Sequence, residues 1–388
     1  MQTQHKHIIN DAGSMTCFDD ASIDLVVTSP PYPMIEMWDK SFGRQDHRIA
    51  EYLEENNGPA AFEAMHQVLD PVWKELYRVL RPGGFACINI GDATRTVDGH
   101  FRLYTNHARI LYAAQQAGFS SLPCILWQKP TNAPNKFMGS GMLPAGAYVT
   151  LEHEYILILR KGNKRAFKTP EQRQVRQESA LFWEERNQWF SDIWRDVSGI
   201  TQNLKNNPAR NRSGAFPFEL AYRLINMYSV RGDRVLDPFS GTGTTMAAAM
   251  LSCRNSMGFE IDPGMTDMIL DRRHGIVDIG RMIHQNRLQS HLAFIQERIR
   301  TKGLPKYRNI HYGFPVITNQ EKHLLLHDPV KVVHQGGMEL TVEYSTKPDP
   351  EFVSDWPGDA TDNASIPGRQ SPFKKIRSSG KNAQGELF

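Results

Sequence analysis

Two short stretches of this chain carry residue types that could do chemistry. The first is "LVVTSPPYP", Leu25 to Pro33, in which an apolar run gives way to Ser29, Pro30, Pro31 and Tyr32. Consecutive prolines fix φ and donate no ladder hydrogen bond, so the chain leaves any sheet there as a stiff extended segment. The Ser29 hydroxyl and the Pro30 carbonyl then stand side by side as free acceptors, with the Tyr32 ring as a flat face beside them. That trio suits a planar base bearing an exocyclic amine. Acceptors on both N–H bonds favour the pyramidal nitrogen that develops as it attacks a methyl group. Taken alone, the same tetrapeptide also fits a proline turn with a packed tyrosine.

The second stretch is "VLDPFSGTGTT", residues 235–245. Gly241 and Gly243 permit a sharp turn and a close approach of ligand to main chain. The N–H groups opening the small-residue helix that follows favour an anion. Glu260, in "GFEID", ends the next apolar run 19 residues after Gly241, near the spacing at which a carboxylate holds a ribose diol in dinucleotide folds. Met246 stands where a dinucleotide fingerprint needs its third glycine, and no lysine lies between 235 and 255 to make a Walker loop. A ribose-bearing ligand with one modest anion, such as S-adenosylmethionine, fits better.

A sheet is needed to bring these stretches together. Short apolar runs at 7–10, 23–28, 85–91, 121–129 and 153–162 read as strands, and periodic segments at 60–80, 109–119 and 216–229 as helices. "RPGG" (81–84) stops the first of those helices. The alternation predicts an α/β fold with a mostly parallel sheet and helices on both faces. If 25–28 is an interior strand, its carboxyl end opens onto the crevice where such folds bind ligands. The period lapses over 163–206, a polar, basic stretch holding Trp183, Trp189 and Trp194. Residues 266–310 read as basic helices, and the last forty or so, mixing Pro, Gly, Asp and Ser, as an ill-ordered tail. No internal repeat is present.

Composition sets the outer limits. With 388 residues, 40% hydrophobic and 22% charged, the chain is long enough for a substantial core. No apolar run approaches the ~20 residues of a membrane span, and "MQTQHKHIIN" lacks the apolar block of a signal peptide. Four scattered cysteines imply neither a disulfide framework nor a metal site, so a cytoplasmic location is expected. Residues 160–212 hold 12 Lys/Arg against 6 Asp/Glu, and 271–308 hold 9 against 3. Such basic stretches suit a polyanion, and equally suit an ordinary solvated surface.

Taken in order, "TSPPY", then "DPFSGTGTT", then "GFEID" resemble the DNA amino-methyltransferases of restriction–modification systems, in which Ser/Asp/Asn-Pro-Pro-Tyr/Phe is the catalytic motif and Asp-Pro-Phe-x-Gly-x-Gly-Thr-Thr the S-adenosylmethionine motif. Catalytic motif first and cofactor motif some two hundred residues later is similar to the beta class, a circular permutation of the Rossmann-like methyltransferase sheet. "IINDAGSM", "RVLRPGG", "ILWQKP…LEHEYILILRK" and "NPARNRSGAFPFELAYRLI" match further family segments, so the resemblance covers roughly 7–265.

The resemblance implies direct methyl transfer to an exocyclic nitrogen of a base flipped out of double-stranded DNA, without a metal. It implies Ser29 and the Pro30 carbonyl at the amine, Tyr32 stacked on the base and Pro31 for rigidity. For the cofactor it implies Asp237, Gly241, Gly243 and Thr244 at the methionine portion, with Phe239 and Ser240 in the same motif. Glu260 would hold the ribose, Asp11 the adenine amine, and Phe216 and Pro217 the closing segment. Serine before Pro-Pro is more usual among cytosine-N4 enzymes; adenine N6 is the alternative, and a non-catalytic nucleic-acid-binding module the second. The implied organisation is a catalytic half (1–162), a target-recognition region (163–210), a cofactor half (211–265), a basic helical extension (266–345) and a flexible tail (346–388). The loop after Tyr32 would fold over the target base, and a cognate endonuclease would be the functional partner. Pro123-Cys124 resembles the nucleophile of cytosine-C5 enzymes, but its apolar neighbours read as a buried strand.

Overall fold

The computed structural model describes residues 1–129, 138–197 and 216–354. Its centre is a ten-stranded sheet made of β1 (Gln2–Ile9), β2 (Ile23–Thr28), β3 (Leu80–Ile90), β4 (Ser120–Gln128), β5 (His153–Arg160), β6 (Ile193–Trp194), β7 (Arg234–Asp237), β8 (Asn255–Glu260), β9 (Pro329–Gly336) and β10 (Glu339–Tyr344). Across the sheet the order is β6–β4–β5–β3–β2–β7–β8–β1–β10–β9. Strands β3, β2, β7, β8 and β1 run parallel, and β5 lies antiparallel between β3 and β4. The mostly parallel α/β sheet expected from the alternation is therefore present.

The main helices are α1 (Gly58–Val79), α2 (Asn106–Gln116), α3 (Pro170–Glu178), α4 (Trp183–Trp189), α5 (Phe218–Tyr228), α6 (Thr244–Leu251) and α7 (Ile276–Lys302). Among the described residues, none is long and apolar enough to cross a membrane. Strand β2 carries few polar residues because both its faces are covered. Leu25 and Val27 enter the core under α5 and α6, whereas Ile23 and Val26 enter the core with Trp73 and Leu76 of α1. The neighbours β2 and β7 thus send their following helices, α1 and α6, to opposite faces. That is a topological switch point, and a crevice opens at the carboxyl ends of those two strands.

Four local expectations need correction. "RPGG" does not precede β3 but lies inside it. The helix stops at Val79, Leu80 already pairs with Ile23, and the register then jumps to Leu25–Phe85 across a bulge with Gly83 at φ 85°. Strand β1 begins at Gln2 rather than His7, because its buried face is polar: Thr3, His5 and His7 alternate inward. His5 bonds the Thr3 and Ser256 hydroxyls at 2.7 and 2.8 Å.

The stretch 163–197 is folded, not aperiodic surface. Trp189 and Trp194 are core residues, and Trp183 stacks on Phe294 of α7. Arg287 of α7 makes a bidentate pair with Glu185 at 2.6 and 2.8 Å, docking α4 against it.

The extension after 265 is helical only to Lys302. Beyond it, "VKVVHQGGMELTVEY" is a hairpin whose β10 pairs antiparallel with β1 and buries Leu340, Val342 and Tyr344. The Tyr344 hydroxyl donates to the Met250 carbonyl of α6 at 2.7 Å, so the hairpin is built into the main sheet.

Candidate active site at the strand ends

The sheet register brings the two motifs together. Leu25 and Val26 of β2 pair with Val235 and Leu236 of β7, and Leu236 and Asp237 in turn pair with Met257 and Gly258 of β8. Ser29–Tyr32 and the glycine turn therefore leave the sheet at adjacent carboxyl ends, with Glu260 one strand further along. Asp11 follows β1 at the same rim, where the Asn10 N–H donates to the Glu260 carbonyl at 2.9 Å. Asp11 is exposed, and one of its oxygens accepts the Gly13 N–H at 2.8 Å.

Asp237 is the tie between the motifs. It is 4% exposed, and its carboxylate accepts the Thr28 hydroxyl at 2.6 Å, the Thr245 hydroxyl at 2.6 Å and the Phe239 N–H at 3.1 Å. Burial pushes its pKa up to about 6, against the pull of those donors. All three bonds go to the chain itself, so Asp237 positions the cofactor turn against the last residue of β2. Thr28 and Thr245 are functional positions that sequence reasoning missed.

The turn is held from below. Ser240 donates through both N–H and hydroxyl to the Phe259 carbonyl, at 2.8 and 2.9 Å. His7 Nδ1 lies 3.1 Å from that hydroxyl, and burial lowers its pKa to about 4, so the ring is neutral. Phe239 packs edge-on against Trp73. Gly243, at φ 78°, caps α6, and Thr244 begins it, buried. Phe216 and Pro217 are buried at the start of α5.

Gly241 has φ 49°, and a side chain there would meet nothing within 4 Å, so the loop faces open space. Its N–H donates to Glu260 at 2.8 Å, and the second Glu260 oxygen accepts the Asp262 N–H at 2.9 Å. Burial raises the Glu260 pKa above the ordinary carboxylate range. A carboxylate beside an open glycine turn is a fitting place for a ligand bearing hydroxyls and an anion.

On the catalytic side, the Tyr32 hydroxyl sits in a network the sequence did not announce. It accepts from Ser29 Oγ at 3.2 Å and from Asn89 Nδ2 at 2.8 Å, and donates to Glu154 at 2.9 Å. Lys129 pairs with the other Glu154 oxygen at 2.7 Å. Glu154 and Asn89 come from the ends of β5 and β3, which pair with each other in the sheet. The loop after Tyr32 is folded into short helical turns that bury Phe42 and Ile49, and Asp39 there holds Arg95 in a fork at 2.8 and 2.9 Å. Cys124 lies half-buried within β4, as a strand residue.

An open α/β sheet with a glycine turn, a carboxylate at the next strand end and a Pro-Pro-Tyr rim defines a methyltransferase-type site. The DNA methylase family model matches residues 23–271, and the chain belongs to that family. It is 50% identical to the Type II methyltransferase M.MthZI of Methanothermobacter thermautotrophicus over 85% of this chain and 92% of that one. It is 49% identical to the Type II methyltransferase M.MjaI of Methanocaldococcus jannaschii, over 70% of this chain and 91% of the relative. Among solved structures, a DNA modification methylase of Thermus thermophilus, TTHA0409, complexed with S-adenosyl-L-methionine, superimposes with a TM-score of 0.54 at 32% identity, covering 69% of this chain and 92% of that one.

Proposed function

We propose that this chain is a site-specific DNA methyltransferase that moves a methyl group from S-adenosylmethionine to the exocyclic N4 of a cytosine flipped out of double-stranded DNA. It would act as the modification enzyme of a restriction–modification system, with a cognate endonuclease as functional partner. The observation carrying this reading is the Thr28–Asp237–Thr245 tie, which sets the Ser-Pro-Pro-Tyr rim directly beside the glycine turn. The relatives' printed activity, Type II methyltransferase, supports the same reaction class.

S-adenosylmethionine supplies an electrophilic methyl group. Glu260 accepts its ribose hydroxyls, Gly241 to Thr244 face its methionine portion, and Asp11 at the neighbouring strand end takes the adenine amine. Ser29 Oγ and the Pro30 carbonyl accept the two N–H bonds of the target amine, and Tyr32 stacks on the flipped base. Serine before Pro-Pro favours cytosine.

Recognition falls to the part of 163–210 that reaches the rim. Arg165 bonds Asp233 at 2.6 Å, just before β7, and therefore lies at the opposite, amino end of the sheet. Ile193–Trp194 instead runs parallel to β4 towards Lys129, and the remainder of the segment, 198–210, lies outside the described residues, as does the tail from 355.

DNA methylated by the protein, digested to nucleosides, is expected to contain N4-methylcytosine. N6-methyladenine would overturn the choice of base, and absence of transferred methyl would overturn the enzyme reading in favour of a binding module. Glu260→Ala is expected to weaken cofactor binding by about tenfold, roughly 1.4 kcal/mol, with DNA affinity unchanged. Because Glu260 binds hydroxyls as the carboxylate, wild-type cofactor affinity should fall as pH drops through its raised pKa, and Glu260→Ala should lose that dependence. Calorimetric titration with the cofactor across acidic pH checks both.

A further inference from the structure

The Tyr32 network contains a chain of hydroxyls that points away from the target amine and ends on a carboxylate. Ser29 Oγ donates to Tyr32 Oη at 3.2 Å, and Tyr32 Oη donates to Glu154 Oε2 at 2.9 Å. We propose that Ser29, Tyr32 and Glu154 form a proton relay that removes the proton released when the exocyclic amine is methylated. The proposal rests on the amine-methylation reading above.

Each donor already faces the direction in which a proton would travel. Tyr32 Oη accepts from both Ser29 and Asn89, which uses its lone pairs and leaves its own proton to Glu154. Asn89 Nδ2 also donates to Glu154 Oε2 at 2.7 Å, while Asn89 Oδ1 is buried with no partner among the described residues. An amide that leaves its own acceptor buried and unsatisfied, so as to point N–H bonds at residue 154, is orienting towards an anion. Among the described residues, the groups bonded to the Glu154 carboxylate are Tyr32, Asn89 and Lys129, and of these Lys129 carries charge. Glu154 is 7% exposed, and its side chain meets solvent chiefly through Lys129, whose side chain is 51% exposed. The phenol cannot serve as a resting base, since burial holds its pKa well above 10. It can only pass a proton on.

The step balances as follows. The amine nitrogen bonds the methyl carbon as the carbon–sulfur bond breaks and its electron pair stays on sulfur. The nitrogen, now carrying the positive charge, gives one proton to Ser29 Oγ. Ser29 gives its hydroxyl proton to Tyr32, and Tyr32 gives its proton to Glu154. The products are a neutral methylamino base and a neutral Glu154 acid, with both hydroxyls restored. Glu154 then loses the proton to water at the Lys129 end. Ser29 touches the amine and is a catalytic residue; Tyr32 Oη and Glu154 act through it.

The test compares wild type, Glu154→Gln and Tyr32→Phe in single-turnover methyl transfer across pH. Glutamine still accepts from Tyr32 but takes no proton, and phenylalanine keeps the ring but breaks the chain. Each variant is expected to be slower by at least about tenfold at neutral pH, with DNA and cofactor affinities within about twofold, and to recover as rising hydroxide takes over proton removal. Near-ultraviolet titration, with Tyr32→Phe as the blank, should show the Tyr32 phenol ionising at lower pH in Glu154→Gln, because the neighbouring negative charge is gone. Wild-type rates in either variant, or rate losses matched by equal affinity losses, would overturn the relay alone. If wild type transfers no methyl to any DNA, the amine-methylation reading fails first and takes the relay with it.

Discussion

Ser29→Ala is expected to lower the rate of methyl transfer by about 10²- to 10³-fold while moving cofactor and DNA affinities by less than about threefold. The amine nitrogen of cytosine shares its lone pair with the ring, so the ground state is planar and unreactive. An acceptor placed on one N–H gains strength as the nitrogen pyramidalises, an interaction stronger in the transition state than in the bound complex. Two neighbouring prolines fix the backbone that carries Ser29, and Tyr32 receives its hydroxyl proton at 3.2 Å, so its lone pairs are left for the substrate. Removing the hydroxyl leaves the Pro30 carbonyl in place, which is why binding should survive. Single-turnover rates and equilibrium binding measured on the same preparation check this. Equal losses in both would assign Ser29 to binding alone.

How much of this was legible beforehand depends on which physical signal carried each part. The parallel strands announced themselves because both faces are covered, so "IDLVVT" is a nearly continuous apolar run. The glycine turn and Glu260 were readable because a strand–turn–helix needs those residues at that spacing. Strand β1 was half hidden: its inward face is Thr3, His5 and His7, polar groups buried only because partners such as Ser256 and Tyr344 satisfy them. Such partners lie hundreds of residues away, beyond any local pattern. The hairpin of β9 and β10 did carry a local signal, Gly336-Gly337 between alternating apolar residues, both at positive φ. It was overlooked because the basic helix before it set the reading of the whole extension. Glu154 and Asn89 were invisible for another reason. Each sits in an apolar strand where one polar residue reads as a strand edge, and only the pairing of β3 with β5 sets them around Tyr32.

Asp237→Ala should separate catalysis from stability in the opposite way to a core truncation. The substitution removes the acceptor of the Thr28 and Thr245 hydroxyls, so the last residue of the catalytic strand loses its hold on the cofactor turn. A displacement of about 1 Å between reacting groups is enough for a loss of about 10²-fold in rate, and that is the expected effect on methyl transfer. Stability should fall much less, by about 1–2 kcal/mol, because two opposed effects partly cancel. The orphaned donors are costly, but a buried carboxylate is removed as well. That burial is visible in the acidity: the pKa is raised from 3.8 to about 6, so the folded chain holds this proton more tightly than the unfolded one. The group's contribution to stability is therefore fully present below about pH 4 and is lost as pH rises through about 6. Asp237→Asn should abolish that pH dependence, keep an acceptor for Thr28 and retain more activity than alanine, since Thr245 can turn its hydroxyl to the Val27 carbonyl 3.3 Å away. Chemical denaturation at about pH 4.5 and about pH 7.5, run beside single-turnover assays at the higher pH, tests the combination. A stability loss in Asp237→Ala large enough to account for the missing rate would show that Asp237 serves the fold and not the alignment of the two motifs.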